Sequence, residues 1–552
     1  MTDTLRDPDE TTPAPHARRR LILATVVILL VAALALTPPL LNVDRLRHRI
    51  ATSMSQSLGR PVHLDRVTFH VLPMPGFTLE NLVVSEDPAF GYEPVIRANR
   101  VEATLRVSSL WRRQVEISTI RFDVDDFGAG PSINIVRNAQ GRWNLEDILT
   151  QAAHANTAPT AQRKAGPVPR FPYIEATGAR VNLKLGNEKM PFSLTDAEFA
   201  LWLPNSREWH LRLKAQPART DTNASDTGEI RLEGTLGRAP SMATVPVNLT
   251  LDWAHAQMGE ATRLLTGDDA GWRGTVEAGA TLVGQLNSAR LTTSLHLIDL
   301  RRADFVPNKL LDISSHCTAE ANLTLVTLAQ ATCTIPNSGP QPITFASTLF
   351  DLQHPAQATA SIDIHEVPLD WAVDWARLFT QRIPTDLNPT GTIDGTVSRP
   401  AGNSTTKWTG DLQATLKSLT TNNHRVDFSE KPVVFDWRST SPAPTTAPGS
   451  LQLQLQPVSV RPGGSSQLLL TGTIDPNGYT AHLAGTASPS QIRALGDDVL
   501  PPLGQELVES SKASVAATPA PVDIQCSRPF DGVQHCVVLH AEAPAPKTRH
   551  KR

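Results

Sequence analysis

From Arg170 onward, apolar side chains fall at every second position of this chain. Val181, Leu183 and Leu185 alternate with Asn182 and Lys184, and Leu211 and Leu213 with Arg212 and Lys214. Leu451, Leu453 and Leu455 alternate with three glutamines. A period of two gives an extended strand one apolar and one polar side, and no helix keeps it. Strands of this kind build antiparallel sheet with one wet face. Repeated through several hundred residues, the pattern sets the fold class as mainly β. Composition agrees: charged residues are 19% of the chain, below the roughly 25% usual for globular proteins. At 552 residues the chain exceeds the size at which one core stops growing, so it is several domains or one elongated repeating body.

The N-terminal end follows other rules. Residues 1–20 form a polar arm ending in Arg18-Arg19-Arg20, and Leu21 to Leu41 is apolar and uncharged, long enough for one bilayer crossing. The arginines place the N-terminus in the cytoplasm and send the rest outward. A cleaved signal peptide is the rival, since Ala33-Leu34-Ala35 fits a small-residue cleavage site. That site lies inside the apolar run, which favours an uncleaved transmembrane helix.

Next, Val43, Leu46, Ile50, Met54 and Leu58 recur at helical spacing, with Gly59 where a C-terminal cap belongs and Pro61 beyond it. This short helix lies on lipid or plugs one end of a sheet. The period then changes to two: Val101, Ala103, Leu105 and Val107 alternate with Glu102, Thr104 and Arg106, and Ile133 to Val136 is a further strand. Asn144 is placed to cap a brief helix carrying Leu145, Ile148 and Leu149. The chain thus divides into an N-terminal domain over 42–149, a linker over 150–169 where periodicity is lost, a repetitive β body over 170–540, and a basic tail over 541–552 expected to be disordered.

Within the body, Leu251-Asp252-Trp253-Ala254 recurs as Leu369-Asp370-Trp371-Ala372. Each copy is followed by a helical pattern and then a Gly-Thr strand start. A third helix start falls at Ser488-Pro489, where Pro at the first helical position suits a capped helix. The expected unit is a β-meander with one short helix inserted.

Of the four cysteines, Cys317 and Cys333 flank one β pattern, and Cys526 and Cys536 another across a turn at Asp531-Gly532. Four cysteines allow three connectivities. Two local bridges need the least chain closure, and export to an oxidising space lets them form. His316 and His535 adjoin cysteines, but no Cys-x-x-Cys spacing supports a metal. Motifs for nucleotide binding, zinc proteolysis and serine hydrolysis are absent from the sequence. The acidic pairs Asp125-Asp126, Asp268-Asp269 and Asp497-Asp498 stand in turn-like contexts, where solvated turns explain them. The net charge of −3 provides no basic field for nucleic acid. The chain is expected to be no enzyme, with no cofactor and no metal.

Five stretches carry a resemblance: Gly59-Arg60-Pro61-Val62, Leu72 to Gly76, Leu79 to Leu82, Glu86 to Gly91, and Asn138 to Leu149. Together with the apolar segment, they resemble the AsmA-like family of bacterial proteins anchored in the inner membrane. The resemblance implies a chorein-like start, a long U-shaped periplasmic β-sheet, and a role in phospholipid traffic and outer-membrane biogenesis. It supplies no catalytic residues.

Strands lie about 4.8 Å apart, so a single curved antiparallel sheet of this length forms an elongated groove. Its apolar face needs covering, by a second sheet or by acyl chains. Candidate wall residues are Val101, Ala103, Leu105, Val107, Val181, Leu183 and Leu185, which serve equally as ordinary sheet core. The first functional expectation is a single-pass inner-membrane protein holding or conducting phospholipid. The second is a non-enzymatic periplasmic scaffold acting on outer-membrane or other envelope proteins.

Overall fold

The computed structural model describes residues 19–20, 22–29 and 44–539, apart from 149–171, 440–451, 496–518 and some shorter stretches. Residues 22–29 are helical and exposed. The rest of the expected membrane segment, Arg18, the 150–169 linker and the basic tail fall outside the described residues. Among the described residues, no helix is long and apolar enough to cross a membrane. The chain divides into two compact units, Met1–Asp269 and Ala270–Arg552.

The first unit opens with helix α1 (Asp44–Leu58), ended by Gly59 at φ 67°. Only glycine adopts that conformation cheaply, as the expected cap requires. Strands β1 (Val62–His63) and β2 (Arg66–His70) share one edge of β3 (Gly76–Val84), which pairs with β4 (Ile96–Leu105). Helix α1 plugs this end: Ile50, Ala51, Met54 and Leu58 pack on Val62, Val67, Leu79 and Val101. Beyond β4, β5 (Ile117–Asp123) and β6 (Ser132–Arg137) lie in tandem between β4 and β7 (Tyr173–Leu185).

Both pair with β7 in parallel. The sheet is therefore mixed, not antiparallel throughout. The cause is the connection from 138 to 172, long enough for the crossover that parallel strands need. Antiparallel pairing resumes through β8 (Glu188–Trp202), β9 (Glu208–Arg219), β10 (Glu229–Gly237) and β11 (Pro246–Gln257), and α3 (Met258–Thr266) follows directly.

The second unit is a meander in which each strand pairs with the next, except that the strands Arg425–Asp427 and Val433–Ser439 both pair with Thr409–Thr420. It runs through β12 (Trp272–Gln285), β13 (Ser288–Arg302), β14 (Ile313–Asn322), β15 (Thr327–Ile335), β16 (Ile343–Asp351) and β17 (Ala360–Pro368). After α4 (Leu369–Phe379) come β18 (Asn388–Arg399) and β19 (Thr409–Thr420). Next, β20 (Arg425–Asp427) and β21 (Val433–Ser439) share the far edge of β19. The meander closes with β22 (Leu453–Val460), β23 (Leu468–Asp475), β24 (Gly478–Ala487), α5 (Pro489–Ala494), β25 (Ala520–Pro529) and β26 (His535–Val538).

The strand-then-helix unit is real, but its register differs from the sequence match. Leu251 to Ala254 lie inside β11, whereas Leu369 to Ala372 form the first turn of α4. The structural equivalence is a left-handed residue three positions before each helix: His255 before Met258, and Glu366 before Leu369. The Gly-Thr pairs also differ from expectation. Gly391 lies inside β18, where a Cβ would come 1.9 Å from Thr415 O.

The third helix starts as expected. Ser488 accepts from Gln491 N, and the Gln491 side chain returns to the Ser488 backbone, with Pro489 in the first turn. Ile492 and Leu495 then pack with Leu468, Val522 and Ile524. Ser488→Ala should lower stability by about 1 kcal/mol, the usual worth of such a cap. Hydrogen exchange over 488–495, accelerating in the variant, checks this.

Candidate functional site: an apolar sheet face

In antiparallel pairs, residues in register point to the same side of the sheet. Tracing register across the second unit shows one apolar side throughout. Cys333 is opposite Phe345, Phe345 opposite Ile362, and Ile362 opposite Val397. Gly395, two residues earlier on the same side, is opposite Leu412, which faces Trp437, which faces Leu455. The other side is polar: Thr396 Oγ1 donates to Asp363 Oδ1 at 2.9 Å, Gln413 Nε2 donates to Asp436 Oδ1 at 2.7 Å, and His482 bonds Asp523 at 2.6 Å.

Coverage of the apolar side changes along the unit. At β23–β26 it is closed by α5, and Leu468, Val522, Ile524 and Val538 are buried. In the middle strands, Phe345, Ile362, Val397, Leu412 and Trp437 are only half-buried. Among the described residues of this unit, no second sheet lies over them.

The wall residues expected from sequence lie elsewhere. Val101, 1% exposed, is buried beneath α1, and Ala103 and Leu105 are buried beside it. Val181 is buried with Ala176, Ala179 and Ala197, and Leu183 is half-buried. The Leu185 side chain falls outside what is described. Val107 corrects the expectation outright: β4 stops at Leu105, and Val107 begins a one-turn helix, α2 (Val107–Leu110), 49% exposed. The half-buried face belongs to residues that sequence reasoning did not single out. The alternation at Ile362 and Ile364, at Leu412, Ala414 and Leu416, and at Val433, Phe435 and Trp437 was the available signal.

A second constellation joins three of the stretches that carry the resemblance. Arg60 and Glu86 are 7% and 1% exposed and pair at 3.8 Å. Arg60 also meets Asp87 at 3.1 Å and Asp147 at 3.6 Å, and lies over the Phe90 ring. Asn144 does not cap its helix. The helical turn starts at that residue, and Glu146 accepts from Trp143 N at 3.3 Å, so Trp143 holds the cap position. Fully buried, Asn144 instead donates to Glu86 Oε2 at 2.6 Å and to Asn134 O at 2.9 Å, and accepts from Val136 N at 3.0 Å.

The network continues along the polar side of β6 and β7, where Asn182 donates to Asn134 Oδ1 at 3.2 Å and Lys184 pairs with Glu93. Asn182 and Lys184, which alternation assigns to a wet side, are buried beneath this loop. The network has the chemistry of a lock. It ties α1, the 86–95 loop and the 144–148 turn to one sheet.

Both bridges form: Cys317–Cys333 joins β14 to β15, and Cys526–Cys536 joins β25 to the short edge strand β26, in each case between residues in direct register. All four cysteines stand on the apolar side. Among the described residues, no group of three His, Cys, Asp or Glu side chains is placed to hold a metal. The Asp125-Asp126 pair lies in a turn. There Asn99 Nδ2 and the Ala129 and Phe127 N–H groups donate to Asp125, holding its carboxyl below the ordinary aspartate range. Asp497-Asp498 and the Asp531-Gly532 turn fall outside the described residues.

These features define a mainly β protein whose first unit carries a buried polar lock and whose second unit carries a sheet with one apolar side. The AsmA family sequence model matches residues 18–176, and this stretch is AsmA-like. The match spans α1, the lock and the entry into β7. No curated protein and no solved structure matches the chain.

Arg60→Ala leaves Glu86 buried without its cation, and breaking a buried pair costs about 3–5 kcal/mol. Urea unfolding followed by tryptophan fluorescence should show that loss. Reduction of the disulfides should lower stability by about 3 kcal/mol for the 16-residue closure and slightly less for the 10-residue one. Denaturant melts with and without reductant, compared with Cys→Ser variants, measure this.

Proposed function

We propose that this chain holds or conducts phospholipid along the apolar face of its second unit, as a non-enzymatic, inner-membrane-anchored periplasmic protein. Its work contributes to outer-membrane biogenesis and lipid homeostasis. The observation that carries this reading is the run of half-buried Phe345, Ile362, Val397, Leu412 and Trp437 on one side of a sheet with no second sheet over it. Exposed apolar surface of this extent is costly in water at roughly 25 cal/mol per Å², and acyl chains remove that cost. The AsmA-like start supports an envelope setting. The length and charge of Arg18–Leu41 support an anchor with the N-terminus in the cytoplasm. Aliphatic side chains dominate the face, which suits sliding contact with chains of varied length. Specificity for a headgroup requires polar contacts at the rim.

The test compares two charge substitutions in the full-length protein. Ile362→Asp places a carboxylate on the half-buried face and should leave the protein folded, whereas Leu105→Asp places one in a closed core and should unfold the first unit. Native mass spectrometry of gently extracted protein should find phospholipid in the wild type and much less in Ile362→Asp. A wild type that is lipid-free, folded and stable contradicts the reading. It directs attention to protein partners and to a scaffold role in outer-membrane protein assembly.

A further inference from the structure

The stretch from Leu72 to Gly76 carries part of the resemblance, yet it has no task in the lock or in the apolar face of the second unit. Its residues divide into two groups. Gly76 is opposite His70 and Thr104, and a Cβ there would come 2.8 Å from Ala103 O. Pro75 O accepts from Leu105 N at 2.8 Å. These contacts fix the turn between β2 and β3 against the end of β4. Leu72 and Met74 take no part in them and are 55% and 57% exposed. Val107, two residues past Leu105 at the same end of the sheet, is exposed as well.

Residues 71–75 read Val-Leu-Pro-Met-Pro, with no charge and with two residues that lack an N–H. One exposed leucine on a surface needs no explanation. An uncharged tip that presents several apolar side chains and few donors is suited to the boundary between lipid headgroups and acyl chains, where unmet N–H groups are costly.

The direction of α1 says which surface meets this tip. Ser55 Oγ accepts from Val62 N at 2.9 Å, and Arg47 Nη1 donates to Asp65 O at 2.9 Å. Followed backward, the helix therefore runs along β1 and β2 toward the turn. Ser55 to Asp44 is about 16 Å at 1.5 Å per residue, and Val62 to His70 is about 26 Å at 3.3 Å per residue. The start of α1 thus falls about 10 Å short of the turn. Leu41, which ends the apolar segment, is three residues before Asp44, a reach of at most about 11 Å. A bilayer that holds the apolar segment has its surface at this end of the first unit. The loop carrying Tyr92 joins β3 to β4 at the opposite end, about 26 Å away along β3.

We propose that Leu72 and Met74, with Val107 beside them, rest in the headgroup–acyl boundary of the bilayer that holds the anchor, and so fix how the first unit stands on the membrane. The proposal rests on the anchor in the reading above and is independent of whether the second unit carries lipid.

The full-length protein, with both disulfides intact, is reconstituted into vesicles of phosphatidylethanolamine and phosphatidylglycerol. Leu72→Cys, Met74→Cys, Val107→Cys, Tyr92→Cys and Ile28→Cys, made one at a time, each carry an environment-sensitive fluorophore. Lipids bearing a nitroxide at the headgroup, high on the acyl chain or near its end quench it according to depth. Tyr92, exposed at the far end, controls for attraction of the fluorophore itself to lipid, and Ile28 reports on the anchor. Labels at 72 and 74 should be quenched most by the nitroxide high on the chain, and severalfold more than the label at 92. With Leu72→Glu and Met74→Glu together, quenching at 107 should fall to the level at 92, while hydrogen exchange over β2 and β3 stays as in the wild type.

If the label at 28 is quenched but those at 72 and 74 are quenched no more than that at 92, the proposal is overturned and the anchor stands. Labels at 72 and 74 that are shielded from an aqueous quencher yet untouched by lipid nitroxides mean a protein cover, which also overturns it. No quenching at 28, 72 or 74 overturns both the proposal and the anchor.

Discussion

A sheet with one apolar side cannot stand in water with that side bare, and how each part of this chain meets that requirement orders the rest of the structure. Helices and further sheets are the usual covers. The first unit uses helix α1, whose Ile50, Met54 and Leu58 close over Val67, Leu79 and Val101. The end of the second unit uses α5, with Ile492 and Leu495 on Val522 and Ile524. Between β16 and β21 the same alternation continues, but Ile362, Leu412 and Trp437 stay half-buried. The sequence pattern is uniform, and the cover is not.

That difference assigns separate tasks to separate residues. Arg60, Glu86 and Asn144 read as a polar signature, and their burial and mutual bonds make them a lock that fixes α1 and the 86–95 loop on the sheet. Such a network specifies one arrangement of the start of the fold, because each member is costly to leave unpaired. The disulfides act where other support is thin, since β26 is four residues long and is pinned to β25 by Cys526–Cys536.

Much of this was legible in the sequence, for identifiable reasons. Period-two alternation is local and strong, so the β class, the helix after Ser488 and the cap at Gly59 follow from residues within a few positions of one another. The cysteine pairing followed from spacing across hairpins. What local pattern cannot encode is which face of which strand is covered. Val101 and Leu412 alternate alike, yet one is buried beneath α1 and the other is half-buried. Val107 continues the alternation past the point where β4 ends and a helical turn begins. Asn144 looked like a cap because it precedes an apolar helical pattern. Its side chain instead serves strand β6 and Glu86, residues distant in sequence. The parallel entry of β7 depends on a long connection whose route no local signal specifies.

The account turns on whether the side of the middle strands that carries Leu412 faces acyl chains. Photocrosslinking from single positions along β19 in living cells asks this directly, because neighbouring residues point to opposite sides. Crosslinks to lipid from Leu412, Ala414 and Leu416, with none from Asp411, Gln413 and Thr415, are the predicted result. Lipid crosslinks that ignore this period of two, or protein crosslinks alone from the leucine side, would contradict it.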